Sequence, residues 1–145
     1  MSQSIIILVE DSPNDAILAL RALEKSKLNN KVLVTSGGED TLDYLLARGD
    51  YEGRDEIIVP DLILLDLKMP KVGGLEVLKQ LRADDRTKFI PVVVFSSSKA
   101  DQDLMESYNL GVNSYVRKPV EAKEFRRVVE EIEYYWTVLN EPPPE

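Results

Sequence analysis

The period of the apolar positions changes repeatedly along the chain. Ser4–Val9 "SIIILV", Lys31–Thr35 "KVLVT", Leu62–Leu65 "LILL" and Ile90–Phe95 "IPVVVF" are short, nearly continuous apolar runs. Such runs predict strands buried on both faces rather than on one. Asn113–Val116 is a shorter fifth candidate. Between them the apolar residues recur every three or four positions, which predicts helices. The first starts at Pro13 and places Ala16, Leu20 and Leu23 on one face. Ser12 suits its cap, Pro13 its first position and Asp15 the positive end of its dipole. Further helices are predicted over Glu39–Ala47, Leu75–Arg82, Asp101–Asn109 and Glu121–Leu139. The last carries Phe125, Val128, Val129, Ile132 and Trp136 at helical spacing. Residues 48–60 are polar with two glycines and predict a loop. Met69–Gly74 predicts a turn, for which the Gly73-Gly74 pair needs no other role. The closing "EPPPE" cannot continue a helix.

Strand and helix thus alternate five times. Apolar strands in that alternation imply an α/β fold with a parallel sheet and helices on both faces. A chain of 145 residues fits one domain over 1–140 with a short Pro-rich tail over 141–145.

Charge and composition narrow the chemistry. The net charge of -8 argues against nucleic acid, whose binders carry basic patches. There is no cysteine, which removes disulfides, thiolate catalysis and cysteine zinc sites. There is no histidine either, which removes the usual general base and the commonest metal ligand. No apolar stretch is long enough to span a membrane and no signal segment opens the chain, so a cytoplasmic protein is expected.

Open parallel sheets bind ligands at the carboxyl ends of their strands. Glu10 and Asp11 follow the first predicted strand, Asp66 the third, Ser96, Ser97 and Ser98 the fourth, and Arg117, Lys118 and Pro119 the fifth. Three carboxylates, a hydroxyl and an ammonium would therefore share one edge. Carboxylates that close repel, and a hard divalent cation relieves the repulsion. The set suggests a magnesium-phosphate site. Asp61, at the start of the third strand, reads as a solvated acid, and Ser97 and Ser98 as small residues leaving access to a phosphate.

"VEDS", "LLDLKMP", "VFSS" and "YVRKP", in that order at those strand ends, resemble a response-regulator receiver domain. The likeness runs from about Ser4 to Ile132. It implies a flavodoxin-like (βα)5 fold with strand order 2-1-3-4-5. It implies that Asp66 accepts a phosphoryl group from a sensor histidine kinase in a Mg²⁺-dependent (or Mn²⁺-dependent) reaction. Asp11, Glu10, Asp66 and the backbone carbonyl of Lys68 would serve the metal. Ser96 and Lys118 would meet phosphoryl oxygens. Ser96 and Tyr115 would form a switch, and a cis Lys118–Pro119 bond would follow the last strand. Such a chain is a phosphorylated signalling domain rather than an enzyme with a separate substrate. The long 48–60 loop and the extended last helix resemble single-domain receivers that partner bacterial phytochrome-type kinases. Tyr134, Tyr135 and Trp136 cannot all face one core. A homodimer through the fourth helix, fifth strand and last helix is therefore a further expectation, with no output domain following. A metal-dependent hydrolase on the same fold would carry an acid two residues after its nucleophile, where this chain has Lys68. A flavin carrier would need a phosphate-binding loop after strand one, where the acids stand.

Overall fold

The computed structural model describes residues 3–54 and 58–144. Residues 55–57 of the expected loop, the first two residues and the last residue of the tail lie outside the described residues. Five strands, β1 (Ile5–Val9), β2 (Lys31–Thr35), β3 (Leu62–Leu65), β4 (Val92–Ser96) and β5 (Ser114–Arg117), form one sheet in the order β2-β1-β3-β4-β5. Every neighbouring pair is parallel, with Val9 beside both Thr35 and Leu65, and Ser96 beside Arg117. Their helices are α1 (Pro13–Lys25), α2 (Gly38–Leu46), α3 (Gly74–Ala83), α4 (Asp101–Asn109) and α5 (Ala122–Tyr134). This is the flavodoxin-like arrangement that the alternation and the strand motifs led one to expect.

Side chains alternate across the sheet, so each strand feeds two cores. Ile7, Val9, Ile63, Leu65, Val92 and Val94 pack with Leu42 and Leu45 of α2 and with Val77, Leu78 and Leu81 of α3. Ile6, Leu8, Leu62, Leu64, Val93 and Phe95 pack with Ala19, Ala22 and Leu23 of α1 and with Phe125, Val129 and Ile132 of α5. Phe95 and Phe125 meet edge to face at 4.9 Å. All four residues of β3 are buried, which explains a strand without a polar face. Burying each such side chain stabilises the fold by about 1.5–3 kcal/mol.

Several boundaries shift by a residue or more from the expected ones, and three of the differences have a local polar reason. β4 begins at Val92 and β5 at Ser114, two and one residues later than expected. The residues before them belong to an arginine clamp. Arg82 donates to the carbonyls of Gly111 and Ile90 and to the Asn113 side-chain oxygen at 2.8–2.9 Å, and that oxygen also accepts from Val92 N. The last helix is α-helical only to Tyr134; Tyr135–Leu139 form a π-helical turn closed by Asn140 N donating to Tyr135 O. Within the loop after α2, Gly49–Tyr51 make a 3₁₀ turn, and Tyr51 packs edge-on against Tyr44 at 5.1 Å. Asp61 does stay exposed, and its carboxylate accepts from Ile5 N at the sheet's amino edge. Among the described residues no helix is long and apolar enough to cross a membrane.

Gly74 has a role beyond a turn. A Cβ there would lie 2.4 Å from the Asp66 carbonyl oxygen and 2.8 Å from Leu67 Cα. The first residue of α3 thus packs directly on the backbone that carries Asp66. Gly74→Ala must move that backbone, and overpacking of this kind costs about 1–3 kcal/mol. Urea unfolding should show that loss, whereas Gly37→Ala, with open space around its Cβ position, should lose well under half as much.

Candidate functional site

The carboxyl edge of the sheet extends one ladder step beyond its strands. Glu10 N donates to Thr35 O at 3.0 Å, Asp66 N to Val9 O at 3.0 Å, and Lys118 N to Ser96 O at 2.9 Å. Each of these residues is therefore pinned by backbone to the neighbouring strand. Their side chains converge. Lys118 Nζ lies 2.7 Å from Glu10 Oε1, 2.9 Å from Asp15 Oδ2 and 3.5 Å from Asp66 Oδ2. The Lys118 side chain is only 6% exposed, and Glu10 and Asp66 are buried with it. Glu10 and Asp66, distant in the chain, thus share one ammonium in one crevice.

Asp11 points to solvent and makes no ion pair among the described residues. Lys68 is exposed, and its ammonium pairs with Asp103 Oδ2 at 3.1 Å, while its backbone N–H lies 3.5 Å from Asp66 Oδ1. Ser96 is fully buried; its Oγ accepts from Ser98 N at 3.2 Å. Tyr115 is half-buried and its hydroxyl donates to Ser98 O at 3.2 Å. The expected cis bond is corrected: among the described residues no peptide bond is cis, so Lys118–Pro119 is trans. Trans is the intrinsically favoured isomer by about 0.5–1 kcal/mol, and with it Lys118 already reaches all three carboxylates.

Two residues outside the expected set belong here. Asp15 is the third residue of α1, and because α1 starts right after β1 its first turn faces the crevice. Its signal in the sequence was an acid in the turn that follows the "VEDS" edge; the helix dipole explained it fully and masked its contact. Ser98 is more than a small residue. Its Oγ donates to Asp103 at 2.5 Å and accepts from Ala100 N, so it joins Ser96, Tyr115, α4 and Lys68 in one hydrogen-bonded set. No sequence spacing announced that junction.

Four carboxylates, those of Glu10, Asp11, Asp15 and Asp66, stand at this edge against the Lys118 ammonium. Among the described residues no three acids are arranged as a finished cation cage, and the Lys118 ammonium stands among Glu10, Asp15 and Asp66. The donors are nonetheless all oxygen and in charge excess, which is the chemistry a hard divalent cation takes. Burial pushes the Glu10 carboxyl up to about 7, with the nearby Asp66 adding to the rise and Lys118 opposing it. Burial pushes the Lys118 ammonium down, but its bonds to Asp15 and Glu10 and the charge of Asp66 outweigh that, so it is held above its ordinary value. Ser98 and then Lys68 hold Asp103 below the usual carboxylate range.

The chain has relatives among known proteins. The response regulator receiver domain family model matches residues 6–130. Response regulator Rcp1 of Synechocystis is 36% identical over 91% of this chain and 88% of its own. The structure of its Mn²⁺-bound form superposes with a TM-score of 0.87 over 97% of this chain and 99% of that one. The phosphorylated cyanobacterial phytochrome response regulator RcpA superposes with a TM-score of 0.90, at 36% identity over 99% of this chain and all of that chain. The bacteriophytochrome response regulator RtBRR is 50% identical, with a TM-score of 0.75 over 99% of this chain and 86% of that one.

The buried carboxyl at Glu10 sets a pH dependence. A folded-state value above the unfolded one means the folded chain binds more protons between the two, so stability falls as pH rises. In metal-free buffer, the unfolding free energy should decline as pH rises from about 4.5 to about 7. Glu10→Gln should flatten that decline in urea titrations taken across the same window; an unchanged slope would show that Glu10 is not its source.

Proposed function

The chain belongs to the response regulator receiver domain family, and we propose that Asp66 is its phosphoacceptor. A receiver of this family is a phosphoacceptor signalling protein that works with a cognate histidine kinase and a divalent metal. The assignment to Asp66 is supported chiefly by one observation: the Asp66 carboxylate, alone at the end of buried β3, faces the Lys118 ammonium at 3.5 Å.

The chemistry follows from these side chains. Phosphoryl transfer asks a protein mainly for position and charge neutralisation. A carboxylate oxygen of Asp66 attacks the phosphorus of a phosphohistidine on the kinase. The new O–P bond forms as the P–N bond breaks, and the electron pair of the broken bond returns to the imidazole nitrogen. Lys118 meets one phosphoryl oxygen and the Ser96 hydroxyl another, after Ser96 leaves its bond with Ser98 N. Asp66 is only 7% exposed, which limits the water that can compete at the reacting oxygen. Glu10, Asp11, Asp66 and the Lys68 carbonyl would hold the cation. When bound, it supplies positive charge to the phosphoryl oxygens.

Ser96 and Tyr115 then act as the switch. Both bond to Ser98, so moving the Ser96 hydroxyl toward a phosphate disturbs the loop that holds the Tyr115 hydroxyl and α4. The charge change thereby biases a two-state element. The phytochrome response regulators among the relatives support a phytochrome-type kinase as the partner. The output surface is the face of α4, β5 and the last helix. Met105 and Tyr108 of α4, and Tyr135 and Leu139 of the last helix, are exposed, large side chains that a second copy would cover.

Two measurements test this reading. Incubation with acetyl phosphate and Mg²⁺ should label the chain, with chelator or Asp66→Asn abolishing the label; labelling that persists in Asp66→Asn removes Asp66 from the role. Beryllofluoride with Mg²⁺ should shift the chain toward a dimer in size exclusion. Leu139→Glu should hold it at the monomer position, and a dimer insensitive to Leu139→Glu and Tyr108→Glu would place the contact elsewhere.

A further inference from the structure

The three anions around Lys118 are not equivalent. An ammonium has three N–H donors. Two go to Glu10 at 2.7 Å and Asp15 at 2.9 Å, distances normal for charge-assisted bonds. Asp66 is left at 3.5 Å, beyond that range. The resting ammonium is therefore held short of the carboxylate beside which it must meet a phosphoryl oxygen. Glu10 cannot release it easily, because Glu10 is buried at the sheet edge with its backbone locked to β2. Asp15 can. Its side chain is 29% exposed, it stands on α1 rather than on the sheet, and water can take over its solvation as Lys118 leaves. Its place on α1 is fixed by the helix cap, where Ser12 Oγ accepts from Asp15 N at 3.4 Å.

We propose that Asp15 is a positioning residue that holds the Lys118 ammonium back from Asp66 in the resting state and so restrains phosphorylation. The inference rests on Asp66 being the phosphoacceptor. The restraint acts on every donor, but it discriminates among them. A kinase that docks on the receiver can offset the cost of the lost Asp15–Lys118 pair with its own binding energy. A small anionic donor has no such contacts and meets the restraint in full. Asp15 thereby favours transfer from a docked protein over adventitious labelling by small phosphoryl donors.

The test compares acetyl phosphate labelling rates at saturating Mg²⁺ in wild type, Asp15→Asn, Asp15→Ala and Asp15→Glu. Each variant is first shown to be folded by thermal unfolding. Losing a partly exposed ion pair should speed labelling about fivefold in the Asn and Ala variants, and Asp15→Glu should return toward the wild-type rate. The same substitution is then made in a Lys118→Gln background. If Asp15 acts through Lys118, the acceleration there falls below about twofold. Equal acceleration in both backgrounds would mean that Asp15 merely repels anionic donors, and slower labelling in Asp15→Asn would mean that it assists transfer; either result overturns the proposal. Wild type that takes no label, or keeps its label in Asp66→Asn, instead defeats the phosphoacceptor assignment, a separate outcome read from separate samples.

Discussion

A single ammonium held among carboxylates at the edge of an apolar sheet organises this molecule. Lys118 is nearly buried, and Glu10 and Asp66 are buried beside it. Unpaired, any of these charges would cost several kcal/mol or lose its charge. Together they are tolerable, yet the balance remains negative. Burial pushes the Glu10 carboxyl up to about 7 even with Lys118 in contact, and the nearby Asp66 adds to the rise. A divalent cation would supply the missing positive charge, and on the proposed assignment of Asp66 a phosphoryl group would compete with Glu10 and Asp15 for Lys118. A site with perfectly matched charges would have less reason to bind either.

The sheet makes such a mismatch sustainable. Glu10, Asp66 and Lys118 each donate a backbone N–H to the next strand, so mutual repulsion cannot easily spread them. Gly74 adds a second constraint by bringing α3 against the Asp66 carbonyl, where a Cβ has no room. The adaptable parts lie one layer out. Ser98 is held by hydrogen bonds that can be exchanged singly: to Ser96, to Tyr115, and to Asp103, which Lys68 also grips. Rigid strand ends and an exchangeable loop are what a switch needs, since a small displacement at Ser96 can be passed to α4 without disturbing the core.

Much of this was legible in the sequence because the signals are local and repeated. Two-sided burial is written into "SIIILV" and "LILL", and the rule that parallel sheets bind at their carboxyl ends gathers Glu10, Asp66 and Lys118 at one edge from the sequence. What escaped was set by contacts across the chain. Asp15 has a complete local explanation as a first-turn acid, so its reach to Lys118, more than a hundred residues away, leaves no mark in spacing. Gly74 matters through the Asp66 backbone packed against it, and Ser98 through hydrogen bonds, one of them from distant Tyr115, that its residue type alone does not announce. The start of β4 was misplaced because Arg82 and Asn113 claim the groups at its amino end. Lys118–Pro119, expected cis from family likeness, is trans: proline lowers the cost of cis without requiring it.

The chain has neither histidine nor cysteine, so its nucleophiles at the sheet edge are carboxylates, and on the proposed assignment Asp66 would carry the group as a reactive acyl phosphate. The cost is that the nucleophile is negatively charged while the group it receives is negatively charged too. Lys118 alone cannot compensate both, and at rest it leans toward Glu10 and Asp15 by 0.6–0.8 Å relative to its distance from Asp66. The crevice is therefore organised for rest as much as for reaction. On the proposed assignment of Asp66, phosphorylation would rearrange ion pairs already present around Lys118.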